Sequence, residues 1–186
     1  MKSLFSAEYG RECTAGTLLL SPPLPAVVHL HGAVVPSRYD GHPMAWHTSA
    51  KFGYVGMEFS NSTHEYTNEQ DATGLWYHDH TMGITRLTVF AGLAGMYIIR
   101  DTAGAEKNLT GLPQGKQEVP LFLDDKLFFN DSSLMYPGIG DNPEDHPEWM
   151  PEFFGEHILV NGKVGIHQLA YRSCLVSLIF HHCASV

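Results

Sequence analysis

Two short patterns in the chain have the residue types and spacing to hold a metal ion: His29-Leu-His31 and His78-Asp-His80. In an extended strand side chains alternate between faces, so residues two apart point the same way and both imidazoles of a pair can approach one centre. If the strands carrying the two pairs meet in one sheet or sandwich, four imidazoles converge with no helix required. In a chain with 12 histidines, a lone His-x-His is also what chance supplies as an incidental strand pair. The flanks favour the metal. Ala26-Val-Val leads into His29 and Leu75-Trp-Tyr into His78, and small or polar residues follow each pair (Gly32-Ala, Thr81-Met-Gly). Strand ends of this kind are where a rigid sheet hands side chains to a site. A third grouping, His181-His-Cys183, has suitable ligand types for copper or zinc. Adjacent side chains diverge, however, and the grouping reads as a frayed tail.

The scaffold these histidines need is β, and the chain reads that way. Residues 1–25 are irregular, with Thr17-Leu-Leu-Leu stopped by Ser21-Pro-Pro-Leu-Pro, a proline density that excludes a central strand. Ala26 to His31 is a strand ended by Gly32, and Val34 to Pro43 is loop and turn. Ala45-Trp-His-Thr is ambiguous, whereas Tyr54 to Phe59 and Thr63 to Tyr66 are expected as strands. Leu75 to His80 is a strand. Met82 to Ala91 fits neither period cleanly and is either a short helix or an irregular crossing. Gly92 to Asp101, with β-branched Ile98 and Ile99, leaves the site as another strand.

Beyond Asp101 a polar stretch to Gln117 reads as a linker, and Glu118 to Phe129 opens a new strand-like unit. Ser132 to Glu152, rich in Pro, Gly and acid, is expected as a long surface loop. His157 to Val164 reads as a hairpin, because Asn161-Gly162 between apolar flanks is a strong turn signal. Short strands separated by turn residues, with few helices, predict an all-β sandwich.

Composition narrows the classes. The 186 residues suit one large domain or one and a half of ordinary size, and 44% hydrophobic content supplies a core. A net charge of -9 with only 11 Lys and Arg leaves no basic stripe for a nucleic acid. No apolar run reaches the length of a membrane span. Cys13, Cys174 and Cys183 give no disulfide framework, and the redox compartment stays open. Sequons at Asn61, Asn108 and Asn130 would permit glycosylation if the protein is secreted. Met1-Lys-Ser-Leu-Phe begins like a signal peptide, but Glu8, Arg11 and Glu12 interrupt the apolar region. Localisation and oligomeric state are therefore not read from the chain.

In context the two pairs, Val28-His-Leu-His-Gly32 and Trp76-Tyr-His-Asp-His80, resemble the two amino-terminal copper motifs of the multicopper oxidases. The similarity is to the branch holding bacterial spore-coat laccases, bilirubin oxidases and plant low-phosphate-root oxidases. Asp40-Gly-His-Pro-Met-Ala-Trp46, Tyr66-Thr-Asn-Glu-Gln70 and the run from Met82-Gly-Ile-Thr-Arg to Ile-Ile-Arg-Asp101 extend it. Pro120 to Phe129 and Ile158 to Val164 resemble the opening of that family's second domain, so the similarity covers roughly 26–164.

The resemblance implies a cupredoxin-like Greek-key sandwich and a trinuclear copper cluster that couples one-electron oxidation of a substrate to reduction of O2 to water. It implies that His29 is a type-2 copper ligand and that His31, His78 and His80 ligate the type-3 pair. It also implies that Asp40 lies beside a solvent channel as a proton donor, against the simpler reading of a turn aspartate before Gly41. Imidazole suits copper, which heads the divalent affinity series. The implied organisation is an atypical segment 1–25, a partial first cupredoxin-like domain with linker 26–117, the start of a second at 118–164, and a tail 165–186 unlike the family. The family's carboxy-terminal cluster histidines and its Cys-His type-1 copper find no counterpart in this sequence, and the order in His181-His-Cys183 is not theirs. The chain is therefore expected to be an amino-terminal portion of an oxidase, catalytically incomplete by itself. The alternatives are a non-catalytic copper- or zinc-binding module and an inert fragment with exposed sheet edges.

Overall fold

The computed structural model describes residues 23–101, 118–136, 144 and 154–164. His181-His-Cys183, all three cysteines, the segment 1–22, the tail 165–186 and the sequon at Asn108 lie outside the described residues, as does most of the expected loop between Ser132 and Glu152.

The fold is mostly β, with antiparallel strands in two three-stranded sheets. The first sheet contains β1 (Val28–His31), β2 (Thr73–Asp79) and β3 (Ala94–Ile99), with β2 in the centre. The alternation expected of these segments is what builds it. Leu30, Leu75 and Ile99 are buried in one cluster, with Ala33, Tyr66 and Tyr97 packed against it. On the opposite face of β1 and β2 lie His29, His31, Trp76 and His78, with His29 paired to His78 and His31 to Trp76. A one-residue slip of register would exchange the two faces. Gly32, at φ +89°, ends β1 where an added Cβ would come within 2.9 Å of the Leu75 side chain.

Between β2 and β3 the chain turns at Gly83 and forms one short helix, α1 (Thr85–Phe90). This settles the ambiguous stretch after Met82 in favour of a helix, which buries Leu87, Thr88 and Phe90. The second sheet contains β4 (Leu123–Lys126), β5 (His157–Val160) and β6 (Lys163–Val164). Asn161 (φ 50°) and Gly162 (φ 76°) form the tight turn between β5 and β6, as expected of an Asn-Gly hairpin. Leu134 and Tyr136 pack on Leu87 and Phe90. Lys126 is ion-paired with Asp124 and lies 4.6 Å over the Phe90 ring, so the second sheet region is docked on α1.

Two expected strands are corrected. Tyr54 to Phe59 forms only an isolated bridge, Val55 to His47, and Thr63 to Tyr66 forms none. The backbone groups of 54–59 go to an irregular loop partner instead: Gly56 N–H donates to Trp46 O at 2.7 Å and Glu58 N–H to Met44 O at 3.0 Å. Gly56 is needed there, since a Cβ would meet Met44 O at 2.1 Å. Around Thr63, the Asn61 side chain accepts the Thr63 N–H at 3.0 Å, and Asn68 adopts positive φ, so local turns replace a ladder. The ambiguous Ala45-Trp-His-Thr stretch joins this loop, with His47 bridged to Ala26 and Val55.

Candidate metal centre

Each histidine pair is delivered by one strand end. β1 carries His29 and His31, while β2 carries His78 and hands on to His80, whose N–H still donates to Val27 O at 2.9 Å. The structure thus brings all four sequence-predicted rings together. Centroids are 5.3 Å apart for His29–His31, 5.4 Å for His29–His78, 4.7 Å for His29–His80 and 5.5 Å for His78–His80. Trp76 stacks on His78 at 4.3 Å and on His31 at 5.2 Å, forming a wall of the site.

Three rings are fixed through Nδ1 by main-chain carbonyls. His29 Nδ1 lies 2.5 Å from Asp40 O, His78 Nδ1 2.8 Å from Asp79 O and His80 Nδ1 2.9 Å from Gly41 O. A carbonyl can only accept, so each Nδ1 carries the proton and each Nε2 keeps a lone pair for a ligand. Carbonyl anchoring of this kind is how proteins orient metal-binding imidazoles. His31 differs, presenting Nδ1 to His78 Nε2 at 3.4 Å. Candidate ligand atoms of His29, His31 and His78 all lie within 4.8 Å of one another. The donor set therefore fits a borderline or soft cation such as copper or zinc. Burial, the largest influence, holds His78 below the ordinary imidazole range, and the nearby His29, His80 and His31 rings act in the same direction against the bond to Asp79 O. Neutral imidazole is the ligand form.

Asp40 sits where the chain leaves the 3-10 turn Ser37–Tyr39, with its N–H on Ser37 O. Its main-chain carbonyl orients His29, and its half-exposed carboxylate lies 3.4 Å from the same Nδ1. Next to it Gly41, at φ +80°, lies so close to β1 that a Cβ would stand 2.2 Å from Val28 O.

Two residues that support the site were not singled out from the sequence. Gln70 clasps the end of β1, accepting Val34 N–H at 2.7 Å and donating to Gly32 O at 3.2 Å. Asp79, only 4% exposed, accepts bonds from Val27, Thr81 and Thr88. The available signal for Asp79 was its place between two histidines, which says nothing about its partners.

Paired imidazoles on neighbouring antiparallel strands, three of the four oriented by a carbonyl, define a histidine-rich β domain suited to metal binding. Residues 21–104 match the family profile described as multicopper oxidase. The chain is 47% identical over 146 residues to a laccase of Bacillus subtilis, covering 77% of this chain and 28% of the laccase. It is 43% identical over 159 residues to multicopper oxidase LPR1 of Arabidopsis thaliana, covering 83% of this chain and 27% of that protein. Among solved structures, the McoA multicopper oxidase of Aquifex aeolicus aligns with a TM-score of 0.54 and 31% identity, over 75% of this chain and 27% of that one. Residues 21–104 thus form a multicopper oxidase family domain, and the chain has the cupredoxin-like fold of its structural neighbours. It spans about 28% of the length of the Bacillus laccases it matches.

Proposed function

We propose that this chain is the copper-binding amino-terminal portion of an oxidase that couples one-electron oxidation of a substrate to reduction of O2 to water. The substrate class is a phenolic or bilirubin-like donor, or ferrous iron. His29 would hold the type-2 copper, and His31, His78 and His80 the type-3 pair. Bound copper would supply the electron transfer to O2; the chain's residues fix the imidazoles and deliver protons. The observation that carries this reading is the gathering of the four rings, three of them anchored at Nδ1 by carbonyls with Nε2 left for ligation. The 3.4 Å between His31 Nδ1 and His78 Nε2 also suits two bonds of about 2.0 Å to one shared ion. Asp40, beside His29, is the proposed proton donor. In this reading 26–117 is the first cupredoxin-like domain with its linker, and 118–164 begins a second.

By itself the chain is proposed to bind copper without turning over. The sequence supports this, since the family's Cys-His type-1 motif finds no counterpart in it. Oxygen uptake by the copper-loaded chain with a phenolic donor or ferrous iron tests this. No uptake above free copper is expected, and sustained uptake abolished by His29→Ala would contradict it. A non-catalytic copper or zinc module is the second reading, favoured by the compact His29, His31 and His78 group. Binding of a single ion, with no activity when the chain is joined to the rest of a family cluster, would favour that reading.

A further inference from the structure

The carboxylate of Asp79 is buried and well supplied with hydrogen-bond donors. Val27 N–H donates to Oδ1 at 2.9 Å and the Thr81 hydroxyl to Oδ1 at 2.9 Å. The Thr81 N–H donates to Oδ2 at 3.3 Å and the Thr88 hydroxyl to Oδ2 at 2.6 Å. Four donors suit an acceptor-only carboxylate, and hydrogen bonds to an ionised group are the stronger kind. The donors come from three places: the residue before β1, the turn after His80, and α1. Asp79 therefore ties the strand bearing His29 to the segment bearing His78 and His80, and its own main-chain carbonyl orients the His78 ring.

We propose that Asp79 is a positioning residue whose fixed negative charge, one residue from two ligand histidines, biases the copper site toward Cu(II) over Cu(I). This rests on the copper reading of the four histidines. Charge inside a protein acts over several ångströms because little solvent screens it. A purely mechanical clamp would act differently, since loosening the ligands weakens both oxidation states alike.

The geometry supplies a clean variant. In Asp79→Asn the amide oxygen can keep the bonds from Val27 N–H and the Thr81 hydroxyl. The new NH2 can donate to Thr88 Oγ1, whose own proton can turn to the carbonyl of Ile84 or Thr85, each 3.1 Å away. Only the long Thr81 N–H bond is lost.

The experiment measures dissociation constants of the full chain for Cu(II) ions, and anaerobically for Cu(I) ions, against competing chelators. For Asp79→Asn the Cu(II) constant is expected to rise about tenfold more than the Cu(I) constant. Equal changes in both, or none, would overturn the charge role. Should Asp79→Asn fail to fold by circular dichroism, Thr88→Val decides. It keeps the charge but removes a donor that spreads it, so the preference is expected to move toward Cu(II), and an equal change in both constants would overturn the proposal. Failure of the unmodified chain to bind either ion would overturn the copper reading itself, and this inference with it.

Discussion

His29 and His78 face each other across the β1–β2 ladder, with ring centroids 5.4 Å apart at 78° to one another. The pairing is a consequence of register, because both residues occupy the face opposite Leu30 and Leu75. Burial of those two leucines is thus what aims the imidazoles. Leu30, 1% exposed, packs against Leu75 and Ile99. Leu30→Ala is expected to cost about 2–5 kcal/mol, read as a lower midpoint in denaturant melts. A loss below about 0.5 kcal/mol, the range of surface substitutions, would show that this cluster is not the core.

Gly41 links stability to the site, since its carbonyl orients His80 while its α-carbon lies against β1. Gly41→Ala places a methyl 2.2 Å from Val28 O at a φ of +80°. It is expected to destabilise by more than the roughly 1–2 kcal/mol of left-handed backbone alone, and to weaken metal binding. Gly53→Ala, at φ +68° with open space around it, isolates the backbone cost. Thermal melts and copper titration of both variants check the contrast.

The pH dependence follows from His78 and His64, both held below the ordinary imidazole range chiefly by burial, His64 also by His47. A base whose folded value is lowered stays neutral in the fold while the unfolded chain takes up a proton. Its contribution is therefore fully present above about pH 6.5 and is lost as the pH falls from there toward the folded values. Urea midpoints of the metal-free chain are expected to fall between about pH 6.5 and 5. His64→Gln should flatten part of that slope. An unchanged midpoint across the range would contradict the assignment.

Much of this was readable in advance, and the failures have a common cause. β1 and β2 announced themselves through alternation around Val28-His-Leu-His and Leu75-Trp-Tyr-His, and the β5–β6 turn through Asn161-Gly162. The expected strands at Tyr54–Phe59 and Thr63–Tyr66 have strand-like composition, but no partner strand receives their backbone. The carbonyl anchors of His29, His78 and His80 leave no mark in residue type, because any residue supplies a carbonyl. Asp79 was equally silent, since it accepts from Val27, 52 residues away.

Asp40 combines a main-chain and a side-chain task that one substitution separates. Asp40→Asn keeps the carbonyl that orients His29 and removes only the acid. In a chimera joining this chain to the carboxy-terminal remainder of the Bacillus subtilis laccase, the variant is expected to slow oxygen reduction about 100-fold at unchanged copper content. A rate equal to that of the unsubstituted chimera would leave Asp40 as a turn residue alone.

The most direct measurement is a Cu(II) titration of the full chain by calorimetry, with tryptophan fluorescence followed in parallel because Trp76 stacks on two of the rings. Saturable binding with quenching is expected, weakened at least about tenfold by His29→Ala or His78→Ala and left intact by His64→Ala, which removes a histidine outside the four. Absence of saturable binding, or binding indifferent to His29 and His78, would contradict the assignment of these four imidazoles to copper.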